Sequence, residues 1–145
     1  SRFSNQMVPM RQTIRAVQSS KGQASIFTVG TDQSPSKKDM QYWTQLFNQD
    51  AAIQLGIEKI AKKTNRPIFY LKPRYIKRGY YEVDCVPICL KPLETEEFEI
   101  TEMQTRFLED FIKEEPAYWL WSHRRWKYKR EVSDIKTQVE LSLKD

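Results

Sequence analysis

Proton-transfer chemistry needs a base, and among 145 residues the only histidine is His123. It stands in the stretch EEPAYWLWSHRRWKYKR (114–130), which also holds three tryptophans and five Lys or Arg residues. Alternating Trp and Arg suit stacking on single-stranded bases with phosphate contacts. The same residues suit a membrane foot, with Trp at the headgroup level and cations on anionic lipid. Trp119 and Trp121, with Leu120 between them, equally suit the closing of a hydrophobic core. Composition leaves all three open.

A second candidate is Asp32, with Gln33, directly after the short apolar run ASIFTVG (24–30). An acidic side chain beyond the carboxyl end of a buried strand stands where α/β sheets place their ligands. A turn-forming aspartate would look the same. Cys85 and Cys89 are the only cysteines. Four apart in an expected strand, they share one face, and zinc would need two further ligands that a single histidine does not provide. Free buried thiols in a reducing compartment are expected, with no metal site and no cofactor. The four glycines are scattered and build no phosphate loop, and Gly-x-Ser-x-Gly is absent. By its own chemistry the chain is an incomplete enzyme or a binding module.

The elements that would position these residues follow from periodicity. Met10, Ile14 and Val17 have helical spacing, and Gly22 ends that run. ASIFTVG predicts a buried strand, and TDQSPSKKD a polar loop. Asp50 predicts an N-cap for a helix whose stripe is Ile53, Ile57, Ile60 and Ala61, stopped at Asn65 and Pro67. PIFYL (67–71) predicts a parallel strand covered on both faces. YYEVDCVPICL alternates as an antiparallel hairpin partner would. Ile100, Met103, Phe107, Leu108, Phe111 and Ile112 form the inner face of a last helix, with Thr101 and Gln104 as a capping box. The expected fold class is α/β: a layered, mixed but mostly parallel sheet flanked by helices, with a right-handed crossover over 24–71.

The length suits one domain with a real core. The net charge of +5 is compatible with an acidic partner without selecting one. No apolar run is long enough to span a bilayer, and no secretory signal is visible. The start at Ser1, without Met, suggests a processed or truncated chain.

The string EEPAYWLWSHRRWK resembles the C-terminal signature of the bacterial lipid A biosynthesis (lauroyl/myristoyl) acyltransferases, within the lysophospholipid acyltransferase superfamily. VPMRQTIRAV (8–17), FTVGTDQSP (27–35) and YWTQLFNQDAAIQLGIEKIAKKTNRPIFYL (42–71) are similar to further family segments, in the family's order. The resemblance implies an α/β fold over residues 1–130, with 131–145 as a C-terminal helix or tail. It implies transfer of a fatty acyl chain from a thioester, usually on acyl carrier protein, to a hydroxyl of a lipid A precursor or related lipid. It places the whole protein at the cytoplasmic face of the bacterial inner membrane, with a membrane surface and no nucleic acid as partner.

The family's catalytic His-x-x-x-x-Asp/Glu finds no match, since Tyr128 stands five residues after His123 with no carboxylate between. The resemblance therefore implies that no catalytic residue lies in this chain, which should be an inactive C-terminal portion with an exposed sheet edge that self-associates. It assigns Asp32 and Gln33 to the cleft, and His123, Arg124 and Arg125 either to the cleft, as contacts to phosphate groups of lipid A or the carrier, or to a structural role. Phe47 and Ala51–Ala52 would shape that cleft, and Trp126 would lie nearest the membrane. Ser34-Pro35 replaces the acidic or small residue that often follows Asp-Gln.

Overall fold

The computed structural model describes residues 7–9 and 12–131. Helix α1 (Thr13–Ser19) is followed by strands β1 (Tyr42–Leu46) and β2 (Gln49–Ile53), and by helix α2 (Gly56–Thr64). Strands β3 (Ile68–Lys77) and β4 (Tyr80–Cys89) and helix α3 (Glu99–Glu114) complete the order. The class is mixed α/β, but the sheets are two separate antiparallel hairpins, β1–β2 and β3–β4. The expected mostly parallel sheet is not formed among the described residues. Residues 24–30 are the reason. They take no ladder partner, and Ile26 is 93% exposed. A β-branched run becomes a strand only where a neighbouring strand receives its hydrogen bonds, so no crossover links 24–30 to β3.

The predicted N-cap at Asp50 is corrected as well, because Asp50 lies inside β2. The local cause is the pair Phe47 and Asn48, with φ of 52° and 58°. Two consecutive residues at positive φ make the tight turn whose twist matches an antiparallel ladder. The chain reverses there, and Tyr42 pairs with Ile53. The predicted helix survives only from Gly56, where Ile57, Ile60 and Ala61 keep their stripe. It ends as expected, with Asn65 in the left-handed region.

PIFYL opens β3, whose partner is the antiparallel β4 across a turn at Gly79, φ +81°. The hairpin partner was legible; a strand covered on both faces was not. Tyr70 stacks on Phe107 and lies tilted against Phe111 of α3, so one face is covered. Phe69 and Leu71, pointing the other way, are half exposed.

Helix α3 forms as its periodicity predicts, with Ile100, Leu108 and Ile112 buried. Thr101 and Gln104 do not cap it. Phe98 is the N-cap and has no side-chain oxygen to offer. Glu58 of α2, 5% exposed, supplies the cap from another element. Its Oε1 accepts Phe98 N–H at 2.7 Å, and its Oε2 accepts Thr101 N–H at 3.0 Å and the Thr101 hydroxyl at 2.5 Å. A carboxylate on the first-turn N–H groups satisfies donors that have no intrahelical partner, and here it also welds α2 to α3. Beside this joint, Ala61, Cys89 and Ile100 form a small core with Ile68, Ile88 and Met103. Cys89 is buried as expected, whereas Cys85 is exposed on the outer side of β4. Among the described residues no group of His, Cys, Asp and Glu could hold a metal. Met10 and the segment 132–145 lie outside the described residues.

Candidate functional site

Residues 119–126 are not helical. Their backbone folds through short closures: Trp121 N–H to Trp119 O, His123 N–H to Leu120 O, and Arg125 N–H to His123 O, each at 2.9 Å. Pro116 prevents continuation of α3 and its carbonyl accepts the Trp121 indole N–H at 2.7 Å. Arg125 points into the protein and is 3% exposed, while Arg124 and Trp121 face solvent.

The loop carrying Asp32 meets this string through Ser34. Ser34 N–H donates to Nε2 of His123 at 2.9 Å. The Ser34 hydroxyl donates to the Arg125 carbonyl and lies 3.4 Å from the Arg124 carbonyl. Arg125 returns a bond from Nη1 to the Ser34 hydroxyl at 3.3 Å and gives another to Ala52 O of β2 at 3.0 Å. Segments some ninety residues apart are thus stapled into one corner, with Pro35 packed fully inside it. A neutral imidazole whose Nε2 accepts a hydrogen bond carries its proton on Nδ1. His123 therefore anchors the loop, and its Nε2 lone pair is not offered to a substrate.

Arg125 is the unusual member. Its Nη1 is engaged, but Nε and Nη2 are buried and meet no acceptor among the described residues. These two donors form one flat edge of the guanidinium, which matches a carboxylate or phosphate in two parallel bonds. Burial pushes the Arg125 pKa below its ordinary value, and the Asp32 carboxylate acts in the opposite direction. Asp32 also reaches Tyr70: burial raises that phenol's pKa, and the nearby carboxylate raises it further. Asp32 forms no salt bridge with Arg125 among the described residues and acts on it only through its charge.

The rim is aromatic. Phe47, held at positive φ in the β1–β2 turn, lies edge-on to Trp126 at 6.4 Å and under Lys113 Nζ at 5.9 Å. A bulky residue at positive φ is strained, and here that backbone aims Phe47 at the tryptophan. Trp126 is partly buried with its indole N–H enclosed, a packing position.

Of the sequence candidates, the structure brings together Asp32, His123 and Arg125. Gln33 and Arg124 are exposed and join no side-chain bond to that group. Ala51 and Ala52 are buried under it as strand residues, not as a helix start. Sequence reasoning missed Ser34 and Tyr70. Tyr70 gave a faint signal, a hydroxyl inside the apolar run IFYL. Ser34 gave none beyond its place after Asp-Gln, because its partners are 89 to 91 residues away.

This corner joins three of the four segments that carried the resemblance. The profile of the bacterial lipid A biosynthesis acyltransferases matches residues 1–128, nearly the whole chain. The chain belongs to that family. No curated protein and no solved structure matches it. No helix among the described residues is long and apolar enough to cross a membrane.

Proposed function

We propose that this chain supplies the C-terminal part of the cleft of an acyltransferase that moves a fatty acyl chain from a thioester, carried by acyl carrier protein, to a hydroxyl of a lipid A precursor or related lipid. In that reaction the acceptor hydroxyl loses its proton to a base, its oxygen attacks the thioester carbonyl, the C–S bond breaks, and the thiol leaves with a proton. The base in this reading is the histidine of a His-x-x-x-x-Asp/Glu pair outside these 145 residues. The engagement of His123 Nε2 by Ser34 supports that assignment.

The observation that carries the proposal is the buried, unpartnered Nε/Nη2 edge of Arg125 beside Asp32. In a water-poor corner a two-donor fork binds a phosphate of the lipid acceptor or of the carrier-borne donor far more firmly than it would in bulk water. Asp32 orients this arginine and the acceptor, and Gln33 and Arg124 line the approach. Partners in this reading are the acyl donor, the lipid and the surface that holds it, at the cytoplasmic face of the bacterial inner membrane. Nucleic acid is not among them: burial of Arg125 and part-burial of Trp119 and Trp126 break the Trp–Arg string as one stacking surface.

The test is acyl transfer from an acyl carrier protein thioester to a lipid A precursor. It compares this chain alone with a protein in which a segment bearing His-x-x-x-x-Asp/Glu precedes it. Turnover only in the second supports the reading. Turnover by the chain alone refutes the assignment of the base.

A further inference from the structure

We infer that residues 24–30 are a docking edge for the same segment of a second copy of this chain. The run ASIFTVG joins no ladder, yet it is held in place along one side. Arg66, just past α2, donates from Nη1 to the Ser25 hydroxyl at 3.0 Å and to the Ser25 carbonyl at 3.4 Å. Its guanidinium lies 5.6 Å from the centre of the Phe27 ring, and its Nη2 bonds Ser20 and the Val17 carbonyl at the end of α1. Ser25 and Phe27, two apart, thus meet one guanidinium, while Ile26 between them and Thr28 beyond face solvent. That is the alternation of an extended chain. Apart from the Ser25 carbonyl, no backbone N–H or C=O of 24–30 has a hydrogen-bond partner among the described residues. An extended β-branched segment, pinned in position with its backbone groups open, is a template for another strand.

The sequence selects the occupant. From Gly22 to Thr31 there is no charge and no proline, the devices that keep an edge from pairing with its own kind. Set antiparallel on itself about Phe27, the run is self-complementary: Phe27 stands opposite Phe27, Ile26 opposite Thr28, and Ser25 opposite Val29. Aromatic and β-branched cross-strand pairs are the stabilising ones. Beyond the paired ends, this direction leaves Lys21 of each copy on the side of Asp32 of the other. Parallel pairing would set lysine by lysine and aspartate by aspartate, which repel. Pairing about a two-fold axis closes on itself and ends at a dimer. The edge is short, so the dimer is weak and concentration-dependent. The inference rests on this segment alone and not on the acyl-transfer reading, so either can fail without the other.

The test is sedimentation velocity of the full 145-residue chain over a wide range of concentration. A monomer–dimer equilibrium is expected. Ile26→Lys/Thr28→Lys sets like charges opposite one another at two cross-strand pairs and should weaken the dimer about tenfold. Both side chains are already exposed, so the circular dichroism spectrum should be retained. Val83→Glu, on the uncovered face of the β3–β4 hairpin, should leave the dimer unchanged. The register is read by oxidation in a Cys85→Ser background, which removes the exposed thiol. A mixture of Ile26→Cys and Thr28→Cys chains should cross-link faster than either chain alone. Three results overturn the proposal: a chain that stays monomeric at every concentration, association that continues past the dimer, or a dimer that the two lysines leave intact.

Discussion

The two hairpins are the same motif in opposite circumstances. The strands of β1–β2 are five residues long, yet Trp43, Leu46, Ala51 and Ala52 are all buried. The β3–β4 hairpin has ten residues per strand and, within them, only Cys89 buried. Strand propensity runs the other way, since Phe69, Tyr70, Leu71, Tyr75 and Val83 are better strand formers than Gln49, Asp50 and Ala51. What differs is the second layer. The short hairpin is held from both ends: Arg106 of α3 donates to Gln45 O, Glu109 accepts Phe47 N–H, and Arg125 donates to Ala52 O. The long one is backed by α3 on one face only. Burial of a hairpin is decided by what clamps it, and the clamped one carries the wall of the candidate site.

The contrast can be broken by substitution. Leu46→Ala removes a side chain with no exposed surface and should cost about 3 kcal/mol, including the cavity it leaves. Denaturant melts should show the midpoint falling with the slope unchanged. His123→Ala should cost about 1 kcal/mol, the worth of a part-buried hydrogen bond that leaves Ser34 N–H unpaired. Hydrogen exchange should rise at Ser34 and not in β3.

Acid sharpens the comparison. The bond from Lys113 holds the Glu109 carboxyl below its usual range, against the opposing effect of burial, with Phe47 N–H and Arg106 adding to it. A depressed carboxylate contributes stability that is fully present above the ordinary value of about 4.3 and is lost as pH falls through the lowered one. The stability gap between the native chain and Glu109→Gln should therefore be fully present above the ordinary carboxylate range and close as pH falls through the lowered value, with β1–β2 loosening first. The smallest effect belongs to the open face. Leu71→Ser, already 47% exposed, should change stability by less than about 0.5 kcal/mol.

Sequence periodicity was a good guide where a segment's own pattern and its tertiary neighbour agreed. Helix α3 has six apolar residues on one stripe, and β4 alternates. The pattern failed for ASIFTVG, because a strand is a property of a pair and the described residues provide no mate. It failed for residues 49–53, because Asp50, Ala51 and Ala52 read as a helix start while the reversal rests on Phe47 and Asn48, neither a glycine. The capping of α3 was illegible since its carboxylate, Glu58, comes from another helix. In the site, His123 and Asp32 were candidates by residue type and place, and Arg125 was added through the family resemblance. That Arg125 keeps an unpaired edge is a fact of packing that no spacing encodes.

The most direct test is to place Arg125→Met in the protein of the acyl-transfer assay above, in which a segment bearing His-x-x-x-x-Asp/Glu precedes this chain, and to measure acyl transfer beside thermal stability. Loss of the Arg125 bonds to Ala52 O and Ser34 should cost about 1–3 kcal/mol of stability, so transfer is measured well below the melting temperature. Loss of the two-donor edge for a substrate phosphate should lower kcat/KM about 10²-fold. That split is the predicted result. Undiminished transfer in a folded Arg125→Met protein would contradict the account, leaving Arg125 a packing residue of this corner.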